Sequence, residues 1–331
     1  MTRRLFRRQV GAMVLVVIAG CATGCHGSSP LGAAEPAVAP TVGPAPVGVV
    51  RSVGIRPEGI AVDARTGIVA VTVRDPNRLL LLDDRTLARR RAIPLPGHAR
   101  HLTLAAPGGP VLVPAEDADT LVQVALPRGS TRATRVGRSP HSAAAVGGGH
   151  TIVGNEVGGT LSVLRPGHVV RTIGGLRQPG GVVAAGSLVA VVDVGSFTLT
   201  TYDLATGRRI TTAKAGAGPT HAVLAAPDRL VVADTRGDEL LVFDPQPLRL
   251  LSRVALPGTP YGLAADPATG TVWVTLTATN QVVGMRLTGS RLHLIVRYPT
   301  VPQPNTVAVA PGSHMVYVAG AGRGQVQLIS R

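Results

Sequence analysis

The sequence predicts an all-β chain: a seven-bladed β-propeller of four-stranded antiparallel blades, closed by an N-terminal strand that completes the last blade. Three observations predict it. A unit of about forty residues recurs seven times. Its starts, at Pro57, Ala99, Pro140, Pro179, Pro219, Pro260 and Pro304, lie 39 to 44 residues apart, the period of one four-stranded blade. Apolar runs last four to seven residues before a Gly, Pro or Asp turn, too short for amphipathic helices. The last unit stops after three strands, whereas an extra strand, Val47–Val53, precedes the first.

Each element follows from local pattern. In the first unit GIAVD, IVAVTV and LLLLD are separated by ARTG and RDPN. In the fifth, HAVLA, LVVAD and ELLVFD are separated by APDR and TRGD, and in the sixth GLAAD, TVWVTL and QVVGMRL by PATG and TATN. The last unit holds only TVAVA, MVYVA and QVQLI. Joining Val47–Val53 to QVQLI supplies its fourth strand and removes the free edges that an open ring would expose. The domain therefore spans residues 47–331. The 41 Gly and 27 Pro suit many short strands, and with only 2% aromatics the core volume must come from Val, Leu, Ile and Ala.

The first 46 residues read as an address and a tether. Four arginines lie among residues 1–8, and the apolar stretch Val10–Gly20 is too short to span a bilayer. It ends in IAGC at 18–21, which resembles a bacterial lipobox and implies cleavage after residue 20 and lipidation of Cys21. A lipid on Cys21 makes membrane lipid a partner and places the protein outside the cytoplasm, anchored in the cell envelope. Paired arginines leave Sec and twin-arginine export both open. Cys25, the other cysteine, is spare, so no disulfide staples the fold. Residues 21–46 are rich in Pro, Ala and Gly, with Glu35 the one Asp, Glu, Lys or Arg between 26 and 46, and predict a semi-extended tether.

The pattern of PEGIAVD at 57–63 and TPYGLAADPATGTVWVT at 259–275 resembles the YVTN-repeat (YncE-like) propellers. The resemblance runs over residues 47–331. It implies the fold and leaves function open, because such propellers include binding proteins, lactonases and lyases.

Function is sought where chain order brings different blades together. Residues just before or at the start of each inner strand ring the axis on one face: Glu58, Arg100 with His101, His141, Gly180, Thr220 with His221, Tyr261 and Asn305. A purely structural ring would repeat one residue type, and this one varies. Glu58, His101, His141, His221, Tyr261 and Asn305 form the candidate axial ligand site. His101, His141, His221 and Glu58 are candidate ligands for a divalent metal. Loops on the same face add Asp75, Glu116, Asp117, Asp119, Glu156, Asp193, Asp234, Asp238 and Glu239, while arginines such as Arg51, Arg89, Arg171, Arg249 and Arg291 fall on outer strands. The expectation is a disk with an acidic mouth and a basic perimeter.

A binding or scaffolding module for a protein, glycan or small ligand is the first functional reading. An envelope hydrolase or lyase using the same mouth is the second. Streptogramin lyases resemble the architecture, but the Glu-x-His pair that this resemblance implies does not occur here; the lactonases' site residues cannot be matched one by one. No GxSxG, HExxH or GKS/T element is present. GAGRGQ at 320–325 joins two strands and so is no phosphate cradle. The net charge of +15 permits attraction to polyanions, or reflects a coding preference for Arg, since Lys214 is the single lysine. Nucleic acid is not an expected partner, because the aromatic platforms that stack bases are lacking. The closed ring predicts a monomer.

Overall fold

The computed structural model describes residues 32–40 and 43–330. The signal segment 1–20, Cys21, Cys25 and the tether up to residue 31 lie outside the described residues. Strand β1 (Val49–Ser52) comes first. Blade 1 follows as β2 (Ile60–Asp63), β3 (Ile68–Val73), β4 (Arg78–Asp83) and β5 (Arg89–Pro94). Blade 2 is β6 (Thr103–Leu104), β7 (Val111–Ala115), β8 (Thr120–Val124) and β9 (Thr131–Arg135). Blade 3 is β10 (Pro140–Val146), β11 (His150–Asn155), β12 (Thr160–Arg165) and β13 (His168–Ile173). Blade 4 is β14 (Pro179–Ala185), β15 (Leu188–Asp193), β16 (Thr198–Asp203) and β17 (Arg209–Lys214). Blade 5 is β18 (Pro219–Ala226), β19 (Arg229–Asp234), β20 (Glu239–Pro245) and β21 (Leu248–Ala255). Blade 6 is β22 (Pro260–Asp266), β23 (Thr271–Leu276), β24 (Gln281–Thr288) and β25 (Arg291–Pro299). Blade 7 joins β26 (Pro304–Val309), β27 (Val316–Gly320) and β28 (Gln325–Ile329) to β1, in the order β1-β28-β27-β26.

Every pairing is antiparallel, and β1 runs against β28 with Val49 opposite Leu328. The closure expected from the chain ends is therefore present. Gln327, fully buried, tightens it by donating to Val47 O at 2.7 Å and Pro299 O at 3.1 Å.

Strands inside a blade are covered on both faces by neighbouring blades, which is why they read as apolar runs without a polar alternate. Strand β3 shows the logic. Val69, Val71 and Val73 enter the core between blades 7 and 1, while Ile68 and Ala70 enter the core between blades 1 and 2. One such apolar cluster lies at each inter-blade interface around the ring. Packing is aliphatic almost throughout, with Trp273, Tyr317 and Phe243 the bulkiest fully buried side chains.

On the face away from the mouth, Asp-x-x-Thr turns repeat: Thr66, Thr86 and Thr206 each give their hydroxyl and backbone N–H to Asp63, Asp83 and Asp203. These carboxylates stand in for a backbone acceptor and fix the turn.

The inner strand of blade 2 begins at Thr103 and that of blade 1 at Ile60, so Arg100, His101 and Glu58 lie just before their strands. Residues 32–40 are not a free tether. They lie on the propeller, with Ala34 buried against Gly218, and the propeller side chains hydrogen-bond their backbone.

Candidate functional site at the axial mouth

In blades 3 to 7 each inner strand opens with a β-bulge immediately after its proline. The register skips His141 in β10, Gly180 in β14, Thr220 and His221 in β18, Tyr261 and Gly262 in β22, and Asn305 in β26. A bulge frees a residue from the ladder and re-aims its side chain. Here it brings His141, His221 and Tyr261 together, with His101 supplied by the loop before β6.

The imidazoles meet on the axis. The ring centroid of His101 lies 4.4 Å from that of His141 and 4.5 Å from that of His221, and His221 lies 4.5 Å from the Tyr261 ring. One ligand nitrogen from each of His101, His141 and His221 falls within 4.8 Å of the other two. His221 Nδ1 is 3.0 Å from Tyr261 O, and its Nε2 is 3.0 Å from His101 Nε2. A carbonyl only accepts, so Nδ1 of His221 carries the proton and its Nε2 presents a lone pair to His101. His101 and His221 occupy positions that are Gly59, Gly181 and Gly262 in other blades. Small residues there leave room for two rings.

A charged network backs the histidines. Arg100 Nε donates to Glu116 Oε1 at 2.9 Å, and its Nη2 bridges Glu116 Oε2 and Glu156 Oε2, each at 3.0 Å. His141 Nδ1 sits 3.2 Å from both carboxylates. His98 Nε2 reaches Glu116 at 3.2 Å, and Gln178 donates to Glu156 at 3.0 Å. Burial pushes the Glu116 carboxyl upward, but hydrogen bonds from His141, His98 and Arg100 prevail and hold it well below the usual carboxylate range. Burial pushes His101 far below an ordinary imidazole, helped by His141, His221 and Arg100 and only weakly opposed by the Glu116 charge. It also pushes His221 down to about 3, assisted by the His141 and Arg100 charges and only partly offset by the bond to Tyr261 O. Tyr261 is driven upward by burial. His98 rises through its bond to Glu116. Around neutral pH, therefore, His101 and His221 are neutral donors of lone pairs, and Glu116 is ionised.

Glu58 stands apart from the imidazoles. Its carboxylate is clamped by Arg74 at 2.6 and 3.0 Å, and it does not belong to either group of convergent ligand atoms, His101–His141–His221 or Glu116–His141–Glu156. Asn305 accepts from Gln303 at 3.0 Å and lines the cleft described below. The acidic mouth is also corrected. Asp119, Asp193, Asp234 and Asp238 spend their oxygens on backbone N–H groups of the loops entering the inner strands, such as Arg177, Gln178, Ala217, Gly218 and Thr259. Around Asp234 the fit is close enough that a Cβ on Gly237 would lie 2.2 Å from its carboxylate. Of the other acids there, Glu58 pairs with Arg74, Glu116 and Glu156 share Arg100, Asp117 meets His98 and Glu239 pairs with Arg253.

Arg100, Glu116 and Glu156 are not among the candidate ligand residues that the sequence singles out. A signal existed: Arg74, Glu116 and Glu156 each directly follow the second strand of their blades, a position as regular as the bulge ring.

Above the network opens a cleft of about 820 Å³, walled by Ile55, Arg56, Glu58, Arg74, His98, Arg100, Tyr261 and Asn305. Residues 32–40 close its other side as a strap. Arg236 Nη2 holds Gly32 O at 2.8 Å, and Ala37 N donates to Thr277 Oγ1 at 3.0 Å. The Gln303 amide spans Ala37 O and Ala39 N at 2.8 and 2.9 Å, and Asn280 holds Pro40 O at 2.7 Å. Ala33, Ala34 and Glu35 roof His141, His221 and Tyr261. Below the histidines the channel narrows to about 70 Å³ between Ile60, Leu102, Leu263 and Val307.

No protein-family model matches the chain, and no curated protein matches it. Solved structures do. Hydrazine synthase from Kuenenia stuttgartiensis superposes with a TM-score of 0.71 at 16% identity, over 83% of this chain and 95% of that one. Virginiamycin B lyase from Staphylococcus aureus gives 0.71 at 15% identity, over 86% and 99%. A chain of the mitotic checkpoint complex gives 0.73 at 11% identity, over 100% and 99%. At these identities the likeness establishes the seven-bladed propeller fold alone.

Proposed function

We propose that this chain is an exported propeller of the YVTN-repeat kind, lipid-anchored through Cys21, which binds a small molecule, glycan or protein segment at its axial mouth above a divalent metal. The metal would be held by His101, His141 and His221. The observation that carries the reading is the convergence of these three imidazoles from three blades. Two of them have Nδ1 engaged, by Tyr261 O and by the Glu116 and Glu156 carboxylates. Metal-bound histidines are held in this way, with the second nitrogen fixing ring orientation and tautomer. Three imidazole nitrogens suit a zinc-like ion and leave a coordination position for a ligand. The cleft supplies access, while Arg100 and Tyr261 provide polar contacts beside it. Zinc should raise the melting temperature of the full-length chain. His141→Ala and His221→Ala should each abolish the rise, and His293→Ala on the exposed β25 should leave it intact. A rise of equal size in all four proteins would refute the site.

A lyase or hydrolase is the second reading, favoured by the ionisable groups beneath the cleft and by the fold shared with virginiamycin B lyase. A solved form of that enzyme is a catalytically inactive histidine-to-alanine variant with quinupristin. Incubation of the zinc-loaded chain with quinupristin, followed by liquid chromatography and tandem mass spectrometry, tests this: hydrolysis adds the mass of water, eliminative ring opening gives a linear isomer of unchanged mass with a new retention time and new fragments, and recovery of the intact cyclic substrate alone speaks against both.

A further inference from the structure

The seven outer strands β1, β5, β9, β13, β17, β21 and β25 carry thirteen Arg and Lys and no Asp or Glu. Charge alone surrounds the disk, but apolar exposure does not. In blades 3 to 6 the outer strands present Val170 (44% exposed), Ile210 (53%), Leu250 (40%), Leu294 (50%) and Ile295 (42%) between the cations. The outer strands of blades 1 and 2 present no exposed large aliphatic. In blades 3, 4 and 6 the backbone contributes to the difference. Each of β13, β17 and β25 has a bulge at Val170, Ile210 or Ile295, so these side chains leave the ladder and face outward. The equivalent bulge in blade 1 falls on Arg90. Strand β17 packs beside β21, and β21 beside β25, so the arc is continuous over blades 4 to 6.

The chain's N-terminal side leads to the same sector. Gly32 is held by Arg236 in the loop after β19, and Arg236 stacks over Phe197 of blade 4. From Cys21 to Gly32 the chain can span at most about 40 Å.

We propose that the outer edge of blades 4 to 6 docks onto an anionic lipid surface, the aliphatics entering the interface and the arginines meeting the headgroups. Aliphatic side chains among cations are what an interfacial surface requires, each buried methylene and each cation adding to binding. A flexible polyanion would need only the charge, and would use the Arg89–Arg91 edge of blade 1 equally well. The inference goes beyond the axial reading. The short reach from Cys21 rests on the proposed lipid anchor, but the contact itself does not.

Flotation of the mature chain, residues 21–331 with Cys21→Ser, with phosphatidylglycerol–phosphatidylcholine vesicles tests it without any acyl chain or export segment. The chain should bind these vesicles and not pure phosphatidylcholine, and salt should weaken the binding. Combined Ile210→Ser, Leu294→Ser and Ile295→Ser should lower partitioning about tenfold or more. Arg89→Gln, Arg90→Gln and Arg91→Gln together should change it less than about twofold. The serines replace exposed side chains, so melting temperature should hold; Arg249→Gln with Arg291→Gln, on the same arc, should also weaken binding. Failure to bind anionic vesicles, or full binding by the serine variant, overturns the proposal. Equal losses from the blade 1 set and the serine set also overturn it and point to a charge-only contact with a polyanion.

Discussion

Arg100 is the residue on which the mouth's electrostatics turn. It separates two buried carboxylates that would otherwise face each other beside His141. Removing one partner of a buried ion pair costs about 3–5 kcal/mol, because the other charge stays behind. Arg100→Met should therefore lower the urea unfolding free energy by about that amount, and adding Glu116→Gln and Glu156→Gln should recover part of it. A loss no larger than that of a surface arginine would show that water screens the carboxylates. The histidines set the acid response. His101 and His221 are held below their unfolded value, so the unfolded chain binds more protons as pH falls below about 6.5. Their contribution to stability is complete above that pH and declines as pH drops toward the folded value of His221, about 3. In chelator, urea midpoints should fall from pH 7 to pH 5, and less steeply in His221→Gln. Parallel pH profiles would contradict the assignment. That these histidines belong to one ring was legible in the repeat. That Arg100 of blade 2 reaches Glu156 of blade 3 was not, because sequence spacing carries no distance between side chains of different blades.

At the scale of elements, β1 and the strap differ in kind. Strand β1 completes a ladder and covers the edge of β28, whereas the strap makes a handful of side-chain-to-backbone bonds with one buried alanine. Each such bond nets only about 0.5–1.5 kcal/mol, against the cost of ordering the segment. Deleting residues 47–53 should cause aggregation or a large fall in melting temperature. Deleting 26–44 should shift it only slightly, yet make His141 and His221 react faster with diethylpyrocarbonate, read by mass spectrometry against His293. Equal melting temperatures would refute the closure argument, and unchanged reactivity would show that the strap does not shield the histidines. The closing strand was readable because an unpaired strand at one end matched a missing one at the other. The strap was not, since GAAEPAVAP has the composition of a linker and is ordered by partners more than two hundred residues away, Arg236, Thr277, Asn280 and Gln303. Likewise, Asp193 and Asp234 read as mouth acids in the sequence, although each is consumed by the backbone of the loop that enters its blade's inner strand.

Over the whole molecule, polar groups are sorted by radius. Arginines and bulged aliphatics lie at the rim, aliphatic clusters between blades, and imidazoles on the axis with their carboxylate and arginine supports. A ring of seven similar units can place unlike residues at one point only by varying equivalent positions, as it does at His101, His141 and His221. The central claim is that this point is a metal centre. Cobalt(II) titration of the full-length chain, followed by visible absorption, tests it most directly. The account predicts the intense bands of a low-coordinate nitrogen-bound ion, saturating at about one per chain and lost in both His141→Ala and His221→Ala. A spectrum no different from cobalt in buffer, or one that survives both substitutions, would contradict it.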